Sequence, residues 1–169
     1  MTKSLRSINA QLSTAGQPTV EELSHLAGAG FKSILNLRTP GEVTALDDEQ
    51  HHVEGVGLVY KHVPLSSKAP DDSQAHVALE LVQQLPKPLL IHCASGARAT
   101  AIALIAIAIA ESWTPPQLIQ AAENFGLSLE QPQLKSFLDK QRVAGDAAPL
   151  GIHAGDIPPK SSDHNSDDA

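Results

Sequence analysis

Apolar positions along the chain alternate between a helical and a strand period. In "VEELSHLAGAG", Val20, Leu23, Leu26 and Ala27 recur at helical spacing. Thr19 with Glu22 three residues later forms a capping box that starts this helix, and Gly28 and Gly30 end it. "FKSILNLR" follows as a short β-rich run, punctuated by Pro40 and Gly41. "EVTALDDEQHHVE" then predicts a polar helix, "GLVYKHVPL" a strand, "SSKAPDDSQ" a loop and "AHVALELVQQL" a helix. Pro86 and Pro88 lead into the strand "LLIHC", after which "ATAIALIAIAIA", residues 99–110, is apolar all round and predicts a buried helix. "PPQLIQAAENFG" and "PQLKSFLDKQR" complete the ordered part as two helices with prolines where a first turn tolerates them.

From about residue 30 strands alternate with helices, which predicts an α/β fold with a single parallel-type sheet flanked by helices. Such sheets bind ligands at the carboxyl ends of their strands. Cys93 stands at one of those ends. The stretch "SINAQLSTAGQPT" reads as a short polar start passing through a turn at Gly16, Gln17 and Pro18.

Length changes the picture only by setting its scale: 169 residues suit one domain with a sizeable core. That domain is expected over 1–144. Beyond it, 145–169 is poor in apolar residues and rich in Pro, Gly and Asp, and predicts a disordered acidic tail. Five Asp and one Lys fall in that tail, so −4 of the formal charge of −7 belongs to it. The acidic balance argues against nucleic acid and anionic membrane as partners, and the dozen apolar residues at 99–110 fall short of the roughly 20 that a membrane helix requires. A single cysteine with no charged, apolar, small-residue signal at the start points to a reducing, cytoplasmic setting.

Metal and nucleotide chemistry find little support. The eight histidines are scattered, with only His51 and His52 adjacent and no HExxH spacing. The "GAG" at 28–30 precedes a strand, whereas a dinucleotide fingerprint follows one. No cofactor and no metal are expected.

The lone thiol is the strongest chemical signal. A thiolate is the nucleophilic form of cysteine, and a helix amino terminus with a nearby cation favours it. Ala94, Ser95, Gly96 and Ala97 form a short, small-residue loop whose N–H groups can turn inward on an anion. Arg98 adds a fork that suits two oxyanion oxygens. The bland alternative is a buried structural cysteine beside an ordinary arginine. Against it, an arginine in a first helical turn opposes the helix dipole unless an anion is held there.

"HCASGAR" resembles the phosphate-binding loop of cysteine-dependent protein phosphatases, shorter by one residue between Gly96 and Arg98 and with Ala99, then Thr100, after the arginine. With "AGQPTVEEL" and "GFKSILNLR", residues 5–142 are similar to the phosphatase-like domains of the beta-lactamase hydrolase-like family, relatives of dual-specificity phosphatases. The resemblance implies a protein tyrosine phosphatase-like architecture and hydrolysis of phosphate monoesters through a phosphocysteine. It implies Cys93 as nucleophile, Arg98 and the loop N–H groups on the phosphoryl oxygens, and a phosphorylated small molecule or phosphoprotein as partner. His92 and Thr100 would support the loop. The acid that protonates the leaving group should follow "KHVPL", where Asp71 and Asp72 are the nearest carboxylates; both also suit a helix start. Arg38, at the end of its strand, is a candidate for substrate binding or for pairing with Glu42.

Two alternatives stay open. Six residues from Cys93 to Arg98 is also the loop length of rhodanese-type sulfurtransferases, whose cysteine carries a persulfide, and "ILNLRTPGE" echoes a rhodanese segment. The other is an oxyanion-binding module without turnover.

Overall fold

The computed structural model describes residues 4–142 and 149–151. Five strands form one sheet in the order β1-β2-β5-β3-β4: Arg6–Ser7, Leu12–Ala15, Ser33–Asn36, Val59–His62 and Leu89–His92 in chain order. β2, β5, β3 and β4 run parallel, and β1 pairs antiparallel with β2. The sheet is therefore mixed rather than purely parallel. The hairpin exists because Asn9 accepts from the N–H groups of Gln11 and Leu12, both at 2.8 Å, and folds the "polar start" back on itself.

Six helices surround the sheet: α1 Val20–Gly28, α2 Glu49–Gly55, α3 Asp72–Gln84, α4 Ala97–Ala110, α5 Pro115–Asn124 and α6 Pro132–Gln141. The expected capping box of Thr19 and Glu22 starts α1. α2 is shorter than the expected helix over 42–54, because Gly41, Thr44 and Asp48 all take positive φ (83°, 65° and 54°) and hold 41–48 as a loop. That loop reaches the site.

The period of two in each strand sorts side chains onto two cores. Leu35, Leu37, Leu89, Ile91 and Cys93 face α3, α4, α5 and α6, while Ile34 and Leu90 face α1 and α2. His92, in step with Leu90, points to the α2 side, one residue from a thiol that points to the α4 side. α4 is buried from Arg98 to Ala108, its alanines admitting neighbours on every side. Ile102, Leu104 and Ile105 are at most 2% exposed, and each stabilises the fold by about 1.5–3 kcal/mol through burial.

Contacts continue past the expected boundary at 144. Leu150 is 4% exposed within the main core, its N–H donates to the Trp113 carbonyl at 2.7 Å, and Gln141 donates to the Gly151 carbonyl at 3.1 Å. The segment 149–151 therefore packs against the core. The rest of the predicted tail lies outside the described residues. Among the described residues, no helix is long and apolar enough to cross a membrane.

Candidate active site

β5 ends at His92 and α4 begins at Ala97, so Cys93 to Gly96 must turn the chain within four residues. Gly96 makes this possible at φ +98°, a conformation that strains any side chain. The turn aims the Gly96 N–H at Cys93 Sγ, 3.0 Å away. Cys93 is fully buried, its own N–H donating to the Ala15 carbonyl at 3.2 Å, while Ala94, Ser95 and Ala97 are exposed above it. β2, missed in the sequence, is thus the strand that braces the loop.

Two further residues set the loop's position. A Cβ on Gly16 would stand 2.7 Å from the Ala94 carbonyl oxygen, so only glycine lets the turn after β2 approach this closely. Thr100 supports the loop from behind, bonding the Gly96 carbonyl at 2.8 Å and the Thr14 hydroxyl at 3.2 Å.

Arg98 is 4% exposed rather than a surface residue of a first turn. Its Nη1 and Nη2 donate to both oxygens of Glu42 at 2.8 and 2.7 Å, and Nη1 also donates to the Leu65 carbonyl at 2.8 Å. This bidentate pair resolves the dipole conflict, since Glu42 supplies the anion that an arginine at a helix start requires. The Arg98 bond is the main reason the Glu42 carboxyl lies at about 2 instead of 4.5; it outweighs burial, and bonds from Thr39 add to it. The Arg98 pKa is raised, first by Glu42 against the effect of burial, and then by Cys93 beside it. The site therefore places a buried thiol next to a fixed guanidinium.

Beneath the loop lies a buried polar cluster. Glu49, 5% exposed at the start of α2, accepts from Gln17 at 2.6 Å, from Asn36 at 2.8 Å and from His92 Nε2 at 3.0 Å. Burial pushes the Glu49 carboxyl up, but His92, Gln17 and Tyr60 outweigh it and hold its pKa below the ordinary value. Tyr60 is pushed up to about 12, chiefly by burial, with the Glu49 charge adding to it. His92 Nδ1 lies 3.3 Å from the Cys93 carbonyl, so the histidine supports the loop from inside the sheet.

Three expected site residues are engaged in structural contacts. Arg38, 2% exposed, holds the 41–48 loop through Gln17 and the carbonyls of Val43 and Thr44, and its Nε lies 3.4 Å from Glu42, the pairing expected of it. Asp71 caps α3 through the Gln74 N–H at 3.0 Å. Asp72 pairs with Lys140 at 2.8 Å and Ser136 at 3.0 Å, which ties α3 to α6. Both aspartates line a small cavity of about 50 Å³ with Ile102, Ile105 and Phe137, beside later turns of α4 than the one carrying Arg98. The sequence points to Glu42 only as a partner of Arg38 and carries no sign of Glu49, Asn36 or Tyr60 as site residues. Only the side parity of His92 hinted that it needed a partner on the α2 face.

The family described as "Polymorphic toxin system, DSP-PTPase phosphatase" matches residues 9–112. A beta-lactamase hydrolase-like protein of Xylella fastidiosa is 33% identical over 95 residues, 54% of this chain and 22% of that protein. One from Agrobacterium fabrum is 28% identical over 105 residues, 60% of this chain and 24% of its own length. The chain thus spans less than a quarter of these curated relatives. Among solved structures, a phosphatase candidate of Shewanella putrefaciens CN-32 superposes with a TM-score of 0.68 at 21% identity, covering 88% of this chain and 94% of that one. TpbA of P. aeruginosa, solved in complex with pTyr, gives 0.61 at 16% identity, covering 83% and 89%. These structural likenesses establish the protein tyrosine phosphatase-like fold.

Proposed function

Since the chain belongs to the DSP-PTPase phosphatase family, we propose that it is a cysteine-dependent phosphate-monoester hydrolase with Cys93 as its nucleophile. The observation that carries this reading is the Cys93–Gly96–Arg98 geometry, a buried thiol that accepts an N–H at 3.0 Å beside a guanidinium locked by Glu42. The Cys93 thiolate attacks phosphorus, an S–P bond forms and the P–O bond to the leaving group breaks. Water then attacks phosphorus, the S–P bond breaks, and phosphate leaves with the thiolate restored. Arg98 and the loop N–H groups stabilise the charge on the equatorial oxygens.

Protonation of the leaving group falls to no carboxyl group at the loop. Glu42 at about 2 is a poor proton donor. Glu49 lies under the loop, and Asp71 and Asp72 are engaged on α3. The reading therefore assigns the proton to solvent and restricts efficient turnover to substrates with good leaving groups, aryl phosphates first among them.

One observation favours a second reading. The loop from Cys93 to Arg98 is a residue shorter than that of cysteine-dependent phosphatases, and a narrower cradle suits a persulfide sulfur better than a phosphoryl group. A paired assay separates the two: para-nitrophenyl phosphate hydrolysis and sulfur transfer from thiosulfate to cyanide, each with wild type and Cys93→Ser. Cysteine-dependent phosphate release supports the first reading and cysteine-dependent thiocyanate the second. Oxyanion binding without either product leaves a binding module.

A further inference from the structure

Among the described residues, one buried side-chain polar atom has no hydrogen-bond partner, Nε of Arg38. A buried N–H left unpaired is unfavourable, and its persistence in a folded protein calls for a reason. An acceptor is close by. Glu42 Oε1 lies 3.4 Å away, within ion-pair range, yet takes no hydrogen bond from it. The other donors of Arg38 hold Gln17, Val43 and Thr44, so the guanidinium is fixed where it stands.

The two oxygens of Glu42 are held unequally. Oε2 accepts from the Thr39 N–H at 2.6 Å, the Thr39 hydroxyl at 2.9 Å and Arg98 Nη1 at 2.8 Å. Oε1 accepts from Arg98 Nη2 at 2.7 Å and stands short of Arg38. The carboxylate can pivot about the pinned Oε2. Forming an ordinary bond to Arg38 Nε requires Oε1 to close by about 0.5 Å and to swing into line with the N–H.

We propose that Glu42 Oε1 has two seats, and that Arg38 is the positioning residue that provides the second. With the loop empty, Oε1 rests on Arg98 Nη2. When a tetrahedral oxyanion enters and takes that donor, Oε1 turns to the waiting Nε–H of Arg38. Arg98 can then give a donor to the anion without leaving that carboxylate oxygen unpaired, and the orphaned N–H is satisfied in the same step. Arg38 touches neither anion nor thiol and acts through Glu42. This inference rests on the reading of the loop as an oxyanion cradle.

Nitrogen-15 NMR of the arginine Nε–H groups tests it on the wild-type protein, with the Arg38 and Arg98 signals assigned from Arg38→Lys and Arg98→Lys and with tungstate as the probe. The expected result is a response at both residues, with the Arg38 Nε–H moving downfield and its solvent exchange slowing about tenfold as the new bond forms. A response at Arg98 with none at Arg38 overturns the two-seat proposal and leaves the cradle intact. Silence at both overturns the cradle and the proposal with it. In addition, Arg38→Lys keeps the charge but lacks the Nε–H, and is expected to weaken tungstate binding about fivefold. An unchanged Kd in a variant with native near-UV circular dichroism also overturns the proposal, because a second seat that lysine cannot supply must cost affinity.

Discussion

Gly16→Ala is expected to damage activity more than stability. The added methyl would stand 2.7 Å from the Ala94 carbonyl oxygen, 3.2 Å from Ser4 Oγ and 3.5 Å from the Ala94 carbonyl carbon. Relief at Ser4 is available, since that side chain can turn at the loss of its bond from the Gly16 N–H. Relief at Ala94 is harder. The preceding residue is tied by the Cys93 N–H to the Ala15 carbonyl at 3.2 Å, so the two segments separate only by displacing the loop peptide itself. Reaching ordinary van der Waals contact requires a shift of about 0.5–0.7 Å, and overpacking of this kind costs about 1–3 kcal/mol. The same displacement moves the N–H groups that meet the transition state in the proposed mechanism, where an error approaching 1 Å can cost about 100-fold. The assay is kcat/KM for para-nitrophenyl phosphate alongside urea unfolding. A loss of about 10–100-fold is expected, with a smaller effect on the unfolding midpoint. Gly28→Ala is the matched control: its added methyl meets nothing within 4 Å and its φ is ordinary, so it should gain about 0.5–1 kcal/mol with unchanged activity. If Gly16→Ala unfolds more easily yet hydrolyses the ester at the wild-type rate, the coupling of this turn to the loop is wrong.

The remaining predictions follow from the ion pairs and the buried leucine. Glu42 has a folded-state pKa of about 2, below its ordinary 4.5, so its contribution to stability is present above pH 4.5 and is lost as pH falls toward 2. That depression sets a ceiling of about 3 kcal/mol, which partial solvent exposure reduces to about 1–2 kcal/mol. The stability gap between wild type and Glu42→Gln, followed by urea unfolding, should therefore close across this window; a gap independent of pH would refute the assignment. Asp71→Asn with Asp72→Asn should cost no more than about 1 kcal/mol, since asparagine caps as well as aspartate and only the Asp72 pair with Lys140 is lost, while leaving kcat for aryl phosphates unchanged. A kcat loss of 100-fold or more would return one of them to the role of acid. Leu150→Ala should destabilise by about 2–4 kcal/mol in thermal or urea unfolding, as expected of a buried leucine. A neutral result would place 149–151 outside the folded unit.

Legibility in the sequence followed the range of the interactions. The capping box at Thr19, the helix starts at Pro115 and Pro132 and the apolar run of α4 were readable because each is decided by residues within a few positions. β1 and β2 were not. "LSTA" is short and half polar, and it becomes a strand because β5 pairs with it from Leu89 to His92. The start of α2 was misplaced for the converse reason: its propensity extends back through 42–48, but that segment is drawn into a loop when Glu42 and the carbonyls of Val43 and Thr44 engage the two arginines.

By itself the sequence determined a candidate nucleophile and its immediate setting. A cysteine at a strand end, a small loop with Gly96 and an arginine in the first helical turn are neighbours along the chain, and their chemistry follows from that adjacency. Only the tertiary structure decided which acid meets which base. Glu42 stands 56 residues from Arg98 and Glu49 stands 43 from His92, and nothing in the local pattern distinguishes them from other carboxylates on the chain. Chain crossings at the sheet edge bring them together, and burial then makes each pairing obligatory, because a charge removed from water without its partner is too unfavourable to persist.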